Sequence, residues 1–253
     1  MKDRLNNGVL IGTMLSEVAN PNMLRVFRAA GFAFVIVDCE HGYFSLPQVA
    51  GLAAVANGMS FPLIVRIPGV ERECILKYLD SGVDGILIPM MDTAETMRSA
   101  VAFAKYQPLG KRGISVTRAH SEYTPGPLAG YLERSNRRTM VFAQIETAEG
   151  VANAGEIAGV DGLDGLFIGP NDLAADLGSL GRFDTDEVVM AMNRVIAACR
   201  AAGKPTGCIS SDTGFLRRCM DMGMTLVSCN SEVGMVLKAG KGIVGDLTLD
   251  SPR

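Results

Sequence analysis

Residues 34–43 read FVIVDCEHGY. Four apolar residues, Phe34 to Val37, run without a polar break into Asp38, Cys39, Glu40 and His41, with Gly42 beyond them. An unbroken apolar run of this length, rich in β-branched residues, is the pattern of a strand covered on both faces, as in a parallel sheet or barrel. Two carboxylates and one of only two histidines in the chain then stand at the strand's exit. In α/β proteins the carboxyl ends of parallel strands are where ligands bind, so the position of these groups matters more than their number.

Working outward, the same rhythm repeats. Val9 to Met14 predicts the preceding strand. Asn20-Pro21 follows as helix cap and first helical position, with Met23, Leu24, Phe27 and Ala30 at helical spacing. Ser45-Leu46-Pro47-Gln48 reads as a capping box that opens a helix. Further strands are predicted at Pro62 to Ile67, Gly85 to Pro89, Val141 to Glu146, Gly165 to Gly169, Pro205 to Ile209 and Thr225 to Cys229. Helices are predicted at Glu71 to Asp80, from the Asp92–Glu95 cap to Tyr106, at Gly150 to Ile157, from an Asp184/Glu187 cap to Ala202, and at Asp212 to Met222. Gln107 to Arg138, rich in Pro, Gly and Arg, reads as an irregular segment too long for an ordinary connection, and hence functional or an oligomer contact. Eight strands alternating with helices in 253 residues match a single (β/α)8 barrel domain spanning 1–253. The rival, an open doubly wound sheet, lacks its glycine-rich G-x-G-x-x-G turn after the first strand.

Composition narrows the partners. The chain is 48% hydrophobic with 29 glycines, no tryptophan and a net charge of -3. That balance argues against nucleic acid or an anionic membrane surface, which need clustered Lys and Arg, and leaves a small molecule as the expected partner. No stretch approaches the roughly 18 apolar residues of a membrane span, and the N-terminus lacks a secretory pattern, so a cytoplasmic location is expected. Six cysteines without CxxC or zinc-like spacing are expected to remain reduced thiols.

The polar residues at or just past the strand ends are Asp38, Glu40 and His41, then Arg66, Glu146, Asp172, and finally Ser210, Ser211 and Asp212. In a barrel these ends share one mouth. Glu146 and Asp172, from adjacent strands, can give oxygen ligands to a hard divalent ion, Mg²⁺ or Mn²⁺, while leaving positions for water and substrate. The plainer reading of Asp172 is a helix cap. Arg66 ends an apolar strand and needs an anion, either a substrate carboxylate or enolate bound by its planar fork, or a barrel carboxylate such as Glu40. His41 is a candidate base or a structural histidine, His120 an exposed loop residue, and Cys39 a packing residue rather than a nucleophile. The lysines Lys77, Lys105, Lys204, Lys238 and Lys241 fall away from strand ends, leaving no evident Schiff-base nucleophile.

These residues, taken in order, resemble the metal-dependent (class II) pyruvate aldolases of the 4-hydroxy-2-oxoheptanedioate and 2-dehydro-3-deoxyglucarate aldolase family. The resemblance runs through D-x-E-H at Asp38 to His41, Arg66, ILIPM at 86–90, KRG at 111–113, QIET at 144–147 and FIGPNDLA at 167–174. It implies a barrel of the phosphoenolpyruvate/pyruvate-domain type with a swapped C-terminal helix, assembled as a homo-oligomer, usually a hexamer. It implies Glu146 and Asp172 as ligands of a divalent metal (Mg²⁺, Mn²⁺ or Co²⁺). Gln144, Gly169, Pro170 and Asn171 would line the pyruvate pocket, with His41 as base and Arg66 holding the pyruvate enolate. Asp80 of a neighbouring subunit, or else Asp38, would orient His41. The implied substrates are a 2-keto acid and an aldehyde, joined and cleaved between C3 and C4. Departures from the pattern are Cys39, the segment IPGVER after Arg66, and Thr117 to Pro127. The rivals are an acyl-CoA lyase of the citramalyl or malyl type, which would want a basic path for the coenzyme, and a non-catalytic binding protein on the same fold.

Overall fold

In the computed structural model, which describes residues 1, 2, 5 and 8–248, the FVIVD run becomes strand β2, Phe34–Asp38, buried along its whole length. It lies between β1 (Leu10–Leu15) and β3 (Leu63–Arg66). The series continues through β4 (Gly85–Ile88), β5 (Met140–Ile145), β6 (Gly165–Ile168), β7 (Thr206–Ser210) and β8 (Leu226–Ser231). All pairs are parallel, and β8 returns to β1 to close a (β/α)8 barrel.

Side chains alternate across a strand with a period of two, and this alternation sorts each strand into a helix-facing and a barrel-facing set. Val35, Val37, Leu63, Val65, Ile86, Ile88, Val141 and Ala143 face the helices in one continuous core. Phe34, Ile36, Ile64, Leu87, Met140, Phe142, Phe167 and Leu226 fill the barrel interior, where the rings of Phe142 and Phe167 meet edge to face at 5.5 Å. One further inward step along the same strands brings Asp38, Arg66 and Gln144, then Glu146. The apolar plug thus ends where the polar layer begins.

The helices are α1 (Asn22–Ala29), α2 (Leu46–Gly58), α3 (Arg72–Asp80), α4 (Ala94–Ala104), α5 (Leu128–Arg138), α6 (Ala148–Ala152), α7 (Ala154–Ala158), α8 (Pro170–Asp176), α9 (Asp186–Ala201), α10 (Thr213–Asp221) and α11 (Glu232–Thr248). The Ser45–Gln48 capping box forms as expected. Several expectations need correction. Thr93 and Thr185, not Asp92 and Asp184, accept the first-turn N–H bonds of α4 and α9. The expected helix at 150–157 is two short helices meeting at Asn153. The last third of the 107–138 segment is the regular helix α5, whose arginines mask its period.

At the strand-entry end, two Asp-Gly pairs do the same job. Asp84 Oδ2 accepts the N–H of Leu63 at 3.0 Å and Asp164 Oδ2 that of Val141 at 2.8 Å, each satisfying the first residue of the neighbouring strand. At the other end, α11 begins with buried Glu232, whose carboxylate accepts the backbone N–H groups of Ser16 and Val18 at 2.9 to 3.0 Å, and that of Glu17. Beyond that anchor the helix stands out of the barrel wall, with Val236, Leu237, Ile243, Val244 and Leu247 all more than half exposed.

Candidate active site

The register pairs Asp38 with Arg66 across β2 and β3. Arg66 donates from Nε to Asp38 Oδ1 at 3.0 Å and from Nη2 to Asp38 Oδ2 at 2.7 Å, a bidentate fork that fixes the guanidinium plane. Burial alone would raise the Asp38 carboxyl, but the hydrogen bonds and charge of Arg66, with the N–H groups of His41 and Glu40, outweigh it and hold Asp38 below the usual range. Glu40 Oε2 lies 3.3 Å from Arg66 Nε and 3.7 Å from His41 Nε2 without the geometry of a hydrogen bond. Burial, only partly offset by Arg66 and His41, pushes its carboxyl up. The His41 side chain is 69% exposed, reaching over the mouth rather than into the core.

Glu146 follows directly on β5 and is 2% exposed. Its Oε1 accepts the N–H of Met90, past the end of β4, at 2.9 Å, and its Oε2 accepts from Gln144 Nε2 at 2.6 Å. Burial raises its carboxyl, and the negative charges of Glu40 and Asp172 add to the rise, against the lowering by those two hydrogen bonds. A Cβ at position 169 would overlap Glu146 Oε2 and crowd Gln144, so the glycine after β6 is what lets the chain pass this carboxylate. Asp172 sits in the first turn of α8. Together with Met14, Ser210, Ser211, Asn230 and Ser231, the residues His41, Arg66, Gln144, Gly169, Pro170, Asn171 and Asp172 line a cavity of about 280 Å³.

The donor set fits a hard divalent ion in an open site. The charges of Glu40 and Asp172 raise buried Glu146, and the buried Oε1 of Gln144 has no partner. Among the described residues no three His, Cys, Asp or Glu side chains close into a cage. Glu146 and Asp172 are the carboxylates that could give such an ion oxygens, with the remaining positions left to substrate and water.

Other expected residues fall elsewhere. Asp80 ends α3 at the strand-entry end of the barrel, where Arg112 Nη2 donates to its Oδ1 at 2.7 Å; within one chain it does not meet His41. Asp38 touches His41 through the backbone N–H, at 3.3 Å, while its carboxylate is engaged by Arg66. His120 is not an exposed loop residue: its side chain is 7% exposed, 3.4 Å from Asp80 and bonded to the hydroxyl of Tyr131. Cys39 is buried, and burial pushes its thiol up to about 11, which removes the thiolate a nucleophile needs. Lys105 is brought down to about 8 by burial, yet its Nζ is bonded to the carbonyls of Asn136 and Thr139, before β5 and far from the mouth. All six cysteines are free thiols, and among the described residues no helix is long and apolar enough to cross a membrane. The sequence reading missed Met14, Asn230 and Ser231 in the mouth. For β8 the only signal was its placement beside β1.

A parallel barrel whose mouth gathers an arginine fork, an exposed histidine and carboxylates short of a cation defines a polar acid–base enzyme site suited to a small oxygen-rich substrate. The chain belongs to the HpcH/HpaI aldolase/citrate lyase family, which it matches over residues 13–239. It is 35% identical over 222 residues to a 5-keto-4-deoxy-D-glucarate aldolase of Klebsiella pneumoniae, covering 88% of this chain and 86% of that one. With the enzyme of the same name from Escherichia coli it shares 36% identity over 225 residues, 88% and 87% of the two chains. Among solved structures, an HpcH/HpaI aldolase from Desulfitobacterium hafniense superposes with a TM-score of 0.94 at 30% identity, covering 100% of this chain and 97% of the other. The protein is a carbon–carbon lyase of the aldolase type.

Proposed function

We propose that the protein catalyses the reversible cleavage of a 4-hydroxy-2-keto acid to pyruvate and an aldehyde at the barrel mouth, with Glu146 and Asp172 holding a divalent ion, Mg²⁺, Mn²⁺ or Co²⁺. The observation that carries this reading is Glu146 itself, a buried carboxylate beside two like charges and the unpartnered Oε1 of Gln144. When bound, the ion supplies Lewis-acid polarisation of the keto group. Arg66, its plane fixed by Asp38, is the cation that stabilises the negative charge developing on the keto acid. Gln144, Gly169, Pro170 and Asn171 flank the pyruvate end of the same cavity. His41 takes the proton of the C4 hydroxyl. The C3–C4 bond then breaks, its electron pair passes into the pyruvate enolate, the aldehyde leaves, and a proton delivered to C3 completes pyruvate. Condensation runs the same steps backward.

The relatives' named substrate puts keto acids derived from sugar acids first among those to try. The acyl-CoA alternative finds no support in the lining: Arg66 is the one Lys or Arg there among the described residues, and it is already engaged by Asp38. The exposed apolar side of α11 suits a homo-oligomer, a hexamer by resemblance, in which α11 packs on a second copy and Asp80 of a neighbouring subunit approaches His41. The cytoplasm is the proposed location. Proton exchange tests the half-reaction without knowledge of the aldehyde. In D₂O with pyruvate and Mn²⁺ or Mg²⁺, the methyl protons should exchange, followed by NMR, and the exchange should stop in chelator and in Glu146→Gln. Exchange that persists undiminished in chelator overturns the ion-assisted reading.

A further inference from the structure

The mouth is divided by topology. Its charged groups come from β2, β3, β5 and the β6–α8 turn, whereas the wall made by the adjacent strands β7 and β8 offers Ser210, Ser211, Asn230 and Ser231, all neutral. Asp212, next along, spends its carboxylate on the N–H groups of Gly214 and Phe215 at 2.8 and 3.0 Å.

Within this wall Asn230 is held in an unusual way. Its φ is +62°, the left-handed region that favours glycine. The register explains the geometry: β1 advances from Gly12 to Met14 while β8 advances from Ser228 to Ser231, so β8 carries an extra residue and bulges. The Asn230 carbonyl accepts the hydroxyl of Thr13 at 3.1 Å, and its side-chain Oδ1 accepts the N–H of Ser231 at 2.8 Å. A Cβ on Gly234 would overlap that same Oδ1, so the glycine in the first turn of α11 makes room for the carboxamide. Oδ1 is committed, Asn230 lines the cavity, and Nδ2 is the donor its side chain has left to offer there. A strained backbone that fixes one polar side chain at a site wall is the kind of cost found where a side chain is needed for binding.

Resting on the aldolase reading, we infer that Asn230 is a specificity-determining residue, its Nδ2 donating to a hydroxyl of a neutral, hydroxylated aldehyde along the β7–β8 wall, with Ser210 and Ser211 beside it. An aldehyde bearing no hydroxyl leaves this donor unpaired. A site built to bind a hydroxyl discriminates against analogues that lack it because its own polar groups are then left unpaired.

The test is Asn230→Gly, which suits the left-handed backbone and removes the carboxamide, and with it the acceptor of the Ser231 N–H. Condensation of pyruvate with D-glyceraldehyde and with propionaldehyde is followed in the presence of Mg²⁺ or Mn²⁺ by quantifying the 4-hydroxy-2-keto acid products. The ratio of kcat/KM for glyceraldehyde over propionaldehyde should fall about tenfold in the variant, the loss of roughly one hydrogen bond. Any lowering of the melting temperature, from the Ser231 N–H losing its acceptor, acts on both aldehydes alike and leaves the ratio readable. A ratio unchanged within about twofold overturns the inference alone. Failure of the unaltered protein to condense pyruvate with either aldehyde overturns both the inference and the aldolase reading, so the two failures are told apart.

Discussion

The two ends of the barrel treat charge in different ways. At the strand-entry end charges are closed in pairs: Lys2 with Asp164 at 2.7 Å, Arg138 with Asp84 at 3.1 Å, and Arg112 with Asp80 at 2.7 Å. There Lys105 donates to two carbonyls. At the mouth, Arg66 with Asp38 is the one ion pair closed by hydrogen bonds; Glu40 shares Arg66 at 3.3 Å without a hydrogen bond, and buried Glu146 is raised by the charges of Glu40 and Asp172. Burial of carboxylates without a matching cation costs stability, and the strand-entry end shows that this chain can pair such groups. The unpaired charge therefore belongs to what binds at the mouth, and the paired charge to the fold. Depletion of cations, more than the presence of carboxylates, separates site from scaffold.

This contrast can be broken at either end. The largest effect is expected for Glu146→Gln, which should lower kcat/KM by about 10³-fold or more, several kcal/mol of lost transition-state stabilisation, and remove the response to added divalent ion in a metal titration. Arg66→Lys keeps the charge but loses the fork on Asp38, and should cost about 10²- to 10³-fold in kcat while metal binding, read by calorimetry, persists. At the opposite end, Asp164→Ala should leave kcat/KM within about twofold yet destabilise the fold by about 1–3 kcal/mol in urea unfolding, because the buried N–H of Val141 loses its acceptor. A large loss of activity there would blur the division. The smallest effect is one of pH. Lys105 is lowered to about 8 by burial, against about 10.4 when unfolded. Between those values the unfolded chain binds the extra proton. The penalty of Lys105 is therefore complete below about pH 8 and relieved as pH rises toward about 10.4. Lys105→Met should flatten that rise in stability, measured by unfolding across the same window.

The barrel was legible because its signal is local: apolar runs of fixed length, Ser45 and Gln48 at capping distance, and one polar residue after each run. Asp38, Arg66 and Glu146 were legible for the same reason, since strand parity carries them from the interior to the mouth, while His41 and Asp172 stand just past their strands. What escaped depends on contacts distant in sequence. His120 reads as a loop residue among Ser and Thr until the chain folds it against Asp80 and Tyr131. Helix α5 was hidden because its polar face outnumbers its buried residues, Tyr131 and Asn136. Asn230 gave no sign at all, because a left-handed residue is produced by the offset between β1 and β8 rather than by its own neighbours.

The most direct test of the account is pyruvate release from 4-hydroxy-2-keto acids, coupled to lactate dehydrogenase, with and without Mg²⁺, Mn²⁺ or Co²⁺. The account predicts NADH oxidation that is abolished by chelator and restored by the ion, and abolished in Glu146→Gln whatever ion is supplied. Full turnover in chelator, or no pyruvate from any such acid in the presence of any of the three ions, would contradict it.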